Sequence, residues 1–230
     1  MKQFFKFVFA SFFGMMLFSI VTGFFALCAI VGMITSQDAT KEPEENSVLV
    51  LNLSGQLSER SDNNFLSPLQ GTQVNSLGLD NLIEGVKKAK DNDNIKGIYI
   101  EAGAFAADSY ASMQALRNAL LDFKKSRKWI IAYADTYTQG TYYLSSVADK
   151  VYLNPQGQID WHGLASEPVF IKDLLAKFGV KMQVVKVGAY KSATEMFTGD
   201  KMSDANREQT SAYLNSIWGN ITKEVGASRG

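Results

Sequence analysis

The feature that most constrains how this chain folds is an apolar run near its N-terminus. From Phe7 to Ile34 no residue carries a charge. A helix needs about 20 predominantly apolar residues to cross a bilayer. The core of a cleaved secretory signal is shorter, about 7 to 15 residues, and ends at a small-residue cleavage site, which residues 33–36 (Met-Ile-Thr-Ser) do not offer. We therefore predict an uncleaved transmembrane anchor over residues 7–34, after a short N-terminal segment at residues 1–6.

The charges on either side of this run differ in sign. Lys2 and Lys6 precede it, whereas mostly acidic residues follow it: Asp38, Lys41, Glu42, Glu44 and Glu45. Because positive residues remain on the cytoplasmic side, we predict a single-pass protein of a bacterial inner membrane, with a cytoplasmic N-terminus and a periplasmic main domain. Residues 35–46 are polar and contain Pro43, so they predict a tether before a folded domain over residues 47–230.

Beyond the tether, apolar runs of strand length alternate with segments of helical period. The predicted strands are 48–53, 98–100, 129–133, 151–153 and 182–187, and the predicted helices are 79–89, 113–123, 142–147, 168–178 and a last one capped by Ser203. Such alternation predicts parallel strands joined by helical crossovers, hence an α/β domain. The continuous apolar run Val48–Leu53 predicts a strand buried on both faces.

Composition excludes several classes of function. Lysine plus arginine equals aspartate plus glutamate at 23 each, so no overall positive field attracts nucleic acid, and we predict none as a partner. One cysteine and one histidine are too few for a zinc cluster or a disulfide, and we predict no cofactor and no metal. Cys28 lies in the apolar run and is interpreted as membrane packing, and His162 as a structural or surface residue.

Without a second histidine, a lysine is the alternative general base, provided that burial or nearby positive potential keeps its amine unprotonated. Lys191 follows the predicted strand 182–187 and precedes the small residues Ser192 and Ala193. This order predicts a lysine at the carboxyl end of a parallel strand, beside a helix N-terminus, where active sites of open α/β folds collect. An exposed loop lysine is the competing interpretation.

Two segments resemble the signal peptide peptidase A family, also called protease IV. They are the lysine motif at residues 188–193 (Gly-Ala-Tyr-Lys-Ser-Ala) and residues 138–144 with 148–157. The resemblance covers about residues 47–230. It implies a crotonase-like or Clp-protease-like α/β fold, in which a serine attacks the peptide carbonyl and a lysine, here Lys191, accepts its proton.

The resemblance also predicts where the serine is missing. Short members of the family carry it three residues before a pair of aromatic residues, here Tyr142 and Tyr143, and that position is Gln139. Long members divide the work, with the lysine in an N-terminal domain and the serine in a second one. We therefore expect the N-terminal half of a long-type enzyme, inactive alone, and do not assign the nucleophile to the nearby serines Ser145, Ser146 and Ser192. Residues 102–104 match an oxyanion hole poorly and are left unassigned.

The family further implies a substrate and partners. These are the hydrophobic signal peptides left after secretion, a second serine-bearing peptidase domain, the membrane, and other copies of the same chain in a homo-oligomer. Two alternatives remain open from the residues: a non-catalytic membrane scaffold that uses the fold for oligomerisation, and an acyl-coenzyme A enzyme.

Overall fold

The apolar run forms one long helix. In the computed structural model, which describes residues 2–37, 42–60 and 76–230, helix α1 spans Lys2–Gln37. Its segment Gln3–Ala29 is long and apolar enough to cross a membrane, although a signal sequence meets the same criteria. Residues 1–44 form one compact unit and residues 45–230 a second. The predicted tether lies partly outside the described residues, since residues 38–41 are not among them.

The second unit is built on a parallel sheet. The strand order is β2-β1-β3-β4-β5, and every neighbouring pair runs parallel. The strands are β1 (Ser47–Ser58), β2 (Ser76–Gly78), β3 (Ile95–Ala107), β4 (Trp129–Tyr137) and β5 (Lys150–Ile159). This topology confirms the predicted α/β class.

Helices connect the strands and complete the domain. They are α2 (Leu79–Asp91), α3 (Tyr110–Lys124), α4 (Gln139–Ser145), α5 (Lys172–Lys177), α6 (Glu195–Thr198) and α7 (Asp204–Arg229), with a 3₁₀ turn at Ser192–Thr194. Three of them begin at a hydroxyl N-cap, which satisfies an otherwise unpaired amide. The cap predicted at Ser203 is confirmed, because its side chain accepts a hydrogen bond from the amide of Asn206 at 3.2 Å.

The core lies on one face of the sheet. Leu51 and Leu53 of β1 are buried in the same cluster as residues of α2, α3 and α4, whereas Val48 and Val50 are 40% and 55% exposed. The prediction that this strand is buried on both faces is therefore wrong. Successive side chains of a strand point to opposite faces, and those of Val48 and Val50 point away from the helices that cover Leu51 and Leu53.

Two predictions after β5 are also wrong. Residues 182–187 form no strand, because within the described part of the chain they pair with no other strand, and Val185 is 93% exposed. The helix expected from residue 168 begins only at Lys172. Its predicted stop is confirmed: Gly179 adopts a φ of +72°, which a residue with a side chain rarely adopts.

Strands β3 and β4 separate at their carboxyl ends. Their pairing ends at Glu101 and Tyr133. Beyond that point β3 continues beside β1, and β4 continues beside β5 after a register shift near Ala134. The first turn of α4 then follows at the end of β4. Because active sites of open parallel sheets form where strands diverge, this edge and the segment around Lys191 are the two places where functional groups are expected.

Candidate active site

Lys191 lies in a tight turn between irregular chain and a short helical segment. Gly188, three residues earlier, has a φ of +94°. Lys191 itself has φ −89° and ψ 73°, and the 3₁₀ turn Ser192–Thr194 begins directly after it and continues into α6. The predicted helix start after Lys191 is therefore present. The predicted strand before it is not, so Lys191 does not lie at the carboxyl end of a sheet strand.

The side chain of Lys191 lines an open cavity of about 500 Å³. Seven other residues line it: Val185, Lys186, Val187, Tyr190, Ser192, Ala193 and Thr194. Lys191 is exposed, and within the described residues no hydrogen bond or ion pair engages its ammonium group. The burial that a lysine base needs is therefore not supplied by this part of the chain.

Two carboxylates of different burial tie the segment around Lys191 to α7. Glu195 is buried, and its carboxylate accepts hydrogen bonds from Ser203 Oγ at 2.6 Å, Ser203 N at 3.2 Å and Asn206 Nδ2 at 3.0 Å. These bonds, that from the Ser203 hydroxyl first, lower the pKa of Glu195. The second tie is exposed: the hydroxyl of Tyr190 donates to Glu208 at 3.0 Å.

Gln139, at the position where the family resemblance predicts a serine in short members, is the first residue of α4 and is buried. Its amide nitrogen donates to the Tyr110 hydroxyl at 3.2 Å, and its amide oxygen accepts from the Gly163 amide at 2.9 Å. Both ends of the side chain therefore hold neighbouring segments. A cavity of about 640 Å³ adjoins Thr138 and Gly140 on either side of it. An amide in this position binds and positions but provides no nucleophile.

The serines close to these segments differ in their surroundings. Ser146 is buried and engaged, because Arg117 donates to its Oγ at 2.7 Å and the hydroxyl donates to the Tyr143 carbonyl at 2.9 Å. Ser145 is also fully buried. Ser192 is partly exposed and lines the cavity of Lys191. His162 is exposed and lies 3.7 Å from Asp160, as expected for a surface residue.

The gap between β3 and β4 holds a smaller polar cavity of about 370 Å³. Residues 101–104, which include the poor oxyanion-hole match at residues 102–104, form one wall, and residues 133–136 form the other. On that wall Asp135 accepts hydrogen bonds from Asn154 and Tyr133, each at 2.8 Å, which lower its pKa. Within the described residues no group of three potential metal ligands exists.

Glu195 and Glu208 carry no sequence signal of their own. Glu195 bonds to residues eight and eleven positions further along the chain, and Glu208 to one eighteen positions before it. Neither spacing corresponds to a helical or turn motif. Their roles become visible only when α7 is placed beside α6.

Two sequence comparisons with known proteins agree on one family. The model of peptidase family S49 matches residues 122–230, which include α4, Lys191 and α7. Protease 4 of Salmonella typhi is 34% identical over 218 residues, covering 90% of this chain and 35% of that protein. The serine protease SPPA of Arabidopsis thaliana chloroplasts is 28% identical over 186 residues, covering 81% and 26%. A putative signal peptide peptidase SppA of Enterococcus faecium is 20% identical over 196 residues, covering 85% and 55%.

The chain thus spans about a third of the length of the Salmonella relative and about a quarter of the Arabidopsis one.

Proposed function

Because the chain belongs to peptidase family S49, we propose that it supplies the lysine general base, Lys191, of a membrane-bound serine endopeptidase. The nucleophilic serine comes from a second, homologous domain. The substrates are apolar peptides, in particular cleaved signal peptides, and the Enterococcus faecium relative is named a putative signal peptide peptidase. The enzyme works as a homo-oligomer at the bacterial inner membrane, with the domain that carries Lys191 on the periplasmic side.

In the proposed reaction, Lys191 carries every proton transfer and the serine forms the covalent bond to the substrate. The serine hydroxyl attacks the carbonyl carbon of the peptide bond while the unprotonated amine of Lys191 takes its proton. The same ammonium then returns the proton to the leaving amine, which frees an acyl-serine ester. Water, deprotonated by the amine again, hydrolyses that ester and restores the serine hydroxyl.

The observation that carries the proposal is the exposed cavity of Lys191. Its apolar residues Val185 and Val187 are 93% and 85% exposed, which is unusual for valine in a monomeric domain. A second domain docked over them removes water from the cavity and brings its serine to the amine. Burial disfavours a charged lysine, so docking and activation of the base occur in one step.

The test is reconstitution. This chain and a serine-bearing S49 domain are combined in detergent or lipid, and cleavage of an apolar reporter peptide is measured. Lys191→Met is expected to lower kcat by about 10²–10⁴-fold, the contribution of a general base. Lys177→Met, at an exposed lysine of α5 outside this cavity, is the matched control and is expected to retain most activity. Full activity of the Lys191→Met enzyme would refute the assignment.

A non-catalytic scaffold is the second candidate, favoured by the buried amide of Gln139 where short members carry serine. The reconstitution separates the two functions. A scaffold binds the serine-bearing domain, but replacement of Lys191 leaves any cleavage by that domain unchanged.

A further inference from the structure

The segment that carries Lys191 is organised around a charged residue. Glu195, which is 7% exposed, is the only buried residue between residues 149 and 220. The apolar side chains of this region, such as Phe178 and Val185, are 75% and 93% exposed. Trp161, Ile217 and Trp218 pack against the core, but no apolar side chain between residues 171 and 206 does so. Around Lys191, apolar burial therefore contributes little to the conformation, and the contacts of the Glu195 carboxylate take its place.

Those contacts reach the start of the longest helix of this domain. Glu195 accepts from both the hydroxyl and the amide of Ser203, the N-cap of α7, and from the side chain of Asn206 in its first turn. Hydrogen bonds to a carboxylate are stronger than those between neutral groups. A negative charge at a helix N-terminus is also stabilised by the helix dipole. The carboxylate therefore fixes α6 to α7.

The chain between Lys191 and Glu195 is short and regular. The 3₁₀ turn Ser192–Thr194 joins them directly. Behind Glu195 the chain is held as well: the amide of Ile171 donates to the Met196 carbonyl at 2.8 Å, and a Cβ on Gly199 would lie 3.1 Å from the Glu195 carbonyl oxygen. A displacement of Glu195 is therefore transmitted to the lysine four residues before it.

We propose that Glu195 is a positioning residue, whose bonds to the N-cap of α7 hold Lys191 in the place where the nucleophilic serine reaches it. This inference rests on the proposed function. Glu195 takes no part in proton transfer. It acts through α6 and the 3₁₀ turn, and its loss leaves the amine present but misplaced.

The experiment uses the reconstituted enzyme and the apolar reporter peptide. Glu195→Ala is expected to lower kcat by about 100-fold with KM changed by less than about twofold, since a misplacement of about 1 Å costs rate on that order. The acid limb of the kcat–pH profile is expected to move to higher pH, because an amine that leaves the covered cavity regains water and holds its proton more tightly. Glu195→Gln keeps an acceptor for Ser203, and its kcat is expected to lie between those of the wild type and Glu195→Ala.

Glu84→Gln is the matched control. It changes an exposed carboxylate of α2 that pairs with Lys88 at 2.7 Å and does not contact the segment around Lys191, and kcat is expected to stay within about twofold, as for exposed polar contacts. If Glu195→Ala does not fold, Asn206→Ala removes one bond to Glu195 while leaving the Ser203 cap, and a fall in kcat of several-fold with the same pH shift is expected.

The outcomes separate this inference from the proposed function. If Lys191→Met retains activity, the proposed function fails, and the role of Glu195 fails with it. If Lys191→Met is inactive but Glu195→Ala keeps its kcat, the positioning role alone is refuted. A lower kcat with an unmoved acid limb also refutes it, because that result describes fewer folded molecules rather than a displaced base.

Discussion

Arg117 is the largest side chain that the described residues bury completely. Its guanidinium donates to the Tyr143 carbonyl and, at 2.8 Å, to the Glu224 carbonyl, and it lies 4.7 Å from the centre of the Tyr143 ring. Burial lowers the pKa of Arg117. The pKa of Tyr143 is raised, mainly by burial and next by its hydrogen bond to the Glu224 carboxylate. Three helices, α3, α4 and α7, therefore meet at one cation.

Replacement of this cation tests its contribution. Arg117→Met is expected to lower the free energy of unfolding by about 3–5 kcal/mol, because the Glu224 carboxylate, 3.5 Å from Arg117 Nε, loses its cation and the two carbonyls lose their donor. Denaturant unfolding followed by circular dichroism measures the loss. Arg229→Met is the control, since the side chain of Arg229 is exposed and donates to a single described acceptor, the Ala148 carbonyl, and a smaller loss is expected.

Glu195 gives the domain a pH dependence of known sign. Its pKa is lowered by Ser203 and Asn206, so the folded state favours the ionised carboxylate. Its stabilisation is present above the ordinary pKa of a glutamate and is lost as pH falls through the lowered value. The difference in unfolding free energy between wild type and Glu195→Gln, measured from pH 7 to pH 3, is expected to shrink toward acid. A constant difference would contradict this, as would one that grows. A control variant replaces Lys186, the nearby cation that also favours ionisation of Glu195.

The pairing of β5 with β4 requires a glycine at position 157. A Cβ on Gly157 would lie 1.9 Å from the Asp135 carbonyl oxygen, where the register of β4 and β5 shifts. Gly157→Ala is therefore expected to cost about 1–3 kcal/mol of stability, as overpacking does. Gly219 in α7 has no atom within 4 Å of its Cβ position, so Gly219→Ala is expected to stabilise by about 0.5–1 kcal/mol. Thermal unfolding of both variants checks the contrast.

The strands and helices that the sequence predicts correctly are those whose buried face can be read from the local spacing of apolar residues. Apolar residues such as Leu116 and Leu120 recur at helical spacing, and Ile98 and Ile100 at strand spacing, so burial on one face follows from the sequence itself. The run 182–187 has the same composition as a strand, but a strand also needs a neighbour with free backbone groups, which no local pattern encodes. The motif around Lys191 likewise makes the residue a candidate base but does not predict its exposure, since exposure depends on which segment covers the cavity.

For the molecule as a whole, the exposed side chains of Val185 and Val187 predict a binding interface rather than a contribution to the stability of this chain. Val185→Asp with Val187→Asp is expected to change the unfolding free energy of this chain by less than about 0.5 kcal/mol, as surface substitutions do. The same pair is expected to abolish binding of the serine-bearing domain, because two buried charges would lack partners. Val169→Asp, at a valine 66% exposed elsewhere, is the control. Co-purification of the two domains measures binding, and unchanged binding of the double variant would contradict the interface.

Parallel sheets in soluble proteins are covered on both faces, but here the face of Val48 and Val50 is open within the described residues, and Trp129 on the same sheet is 37% exposed. This has a practical consequence for handling the protein. Fluorescent dyes that report apolar surface should bind the purified domain even when it is fully folded, and hydrophobic resins should retain it. Dye binding by this domain is therefore no sign of misfolding, and its folding is better followed by near-ultraviolet circular dichroism of its aromatic side chains.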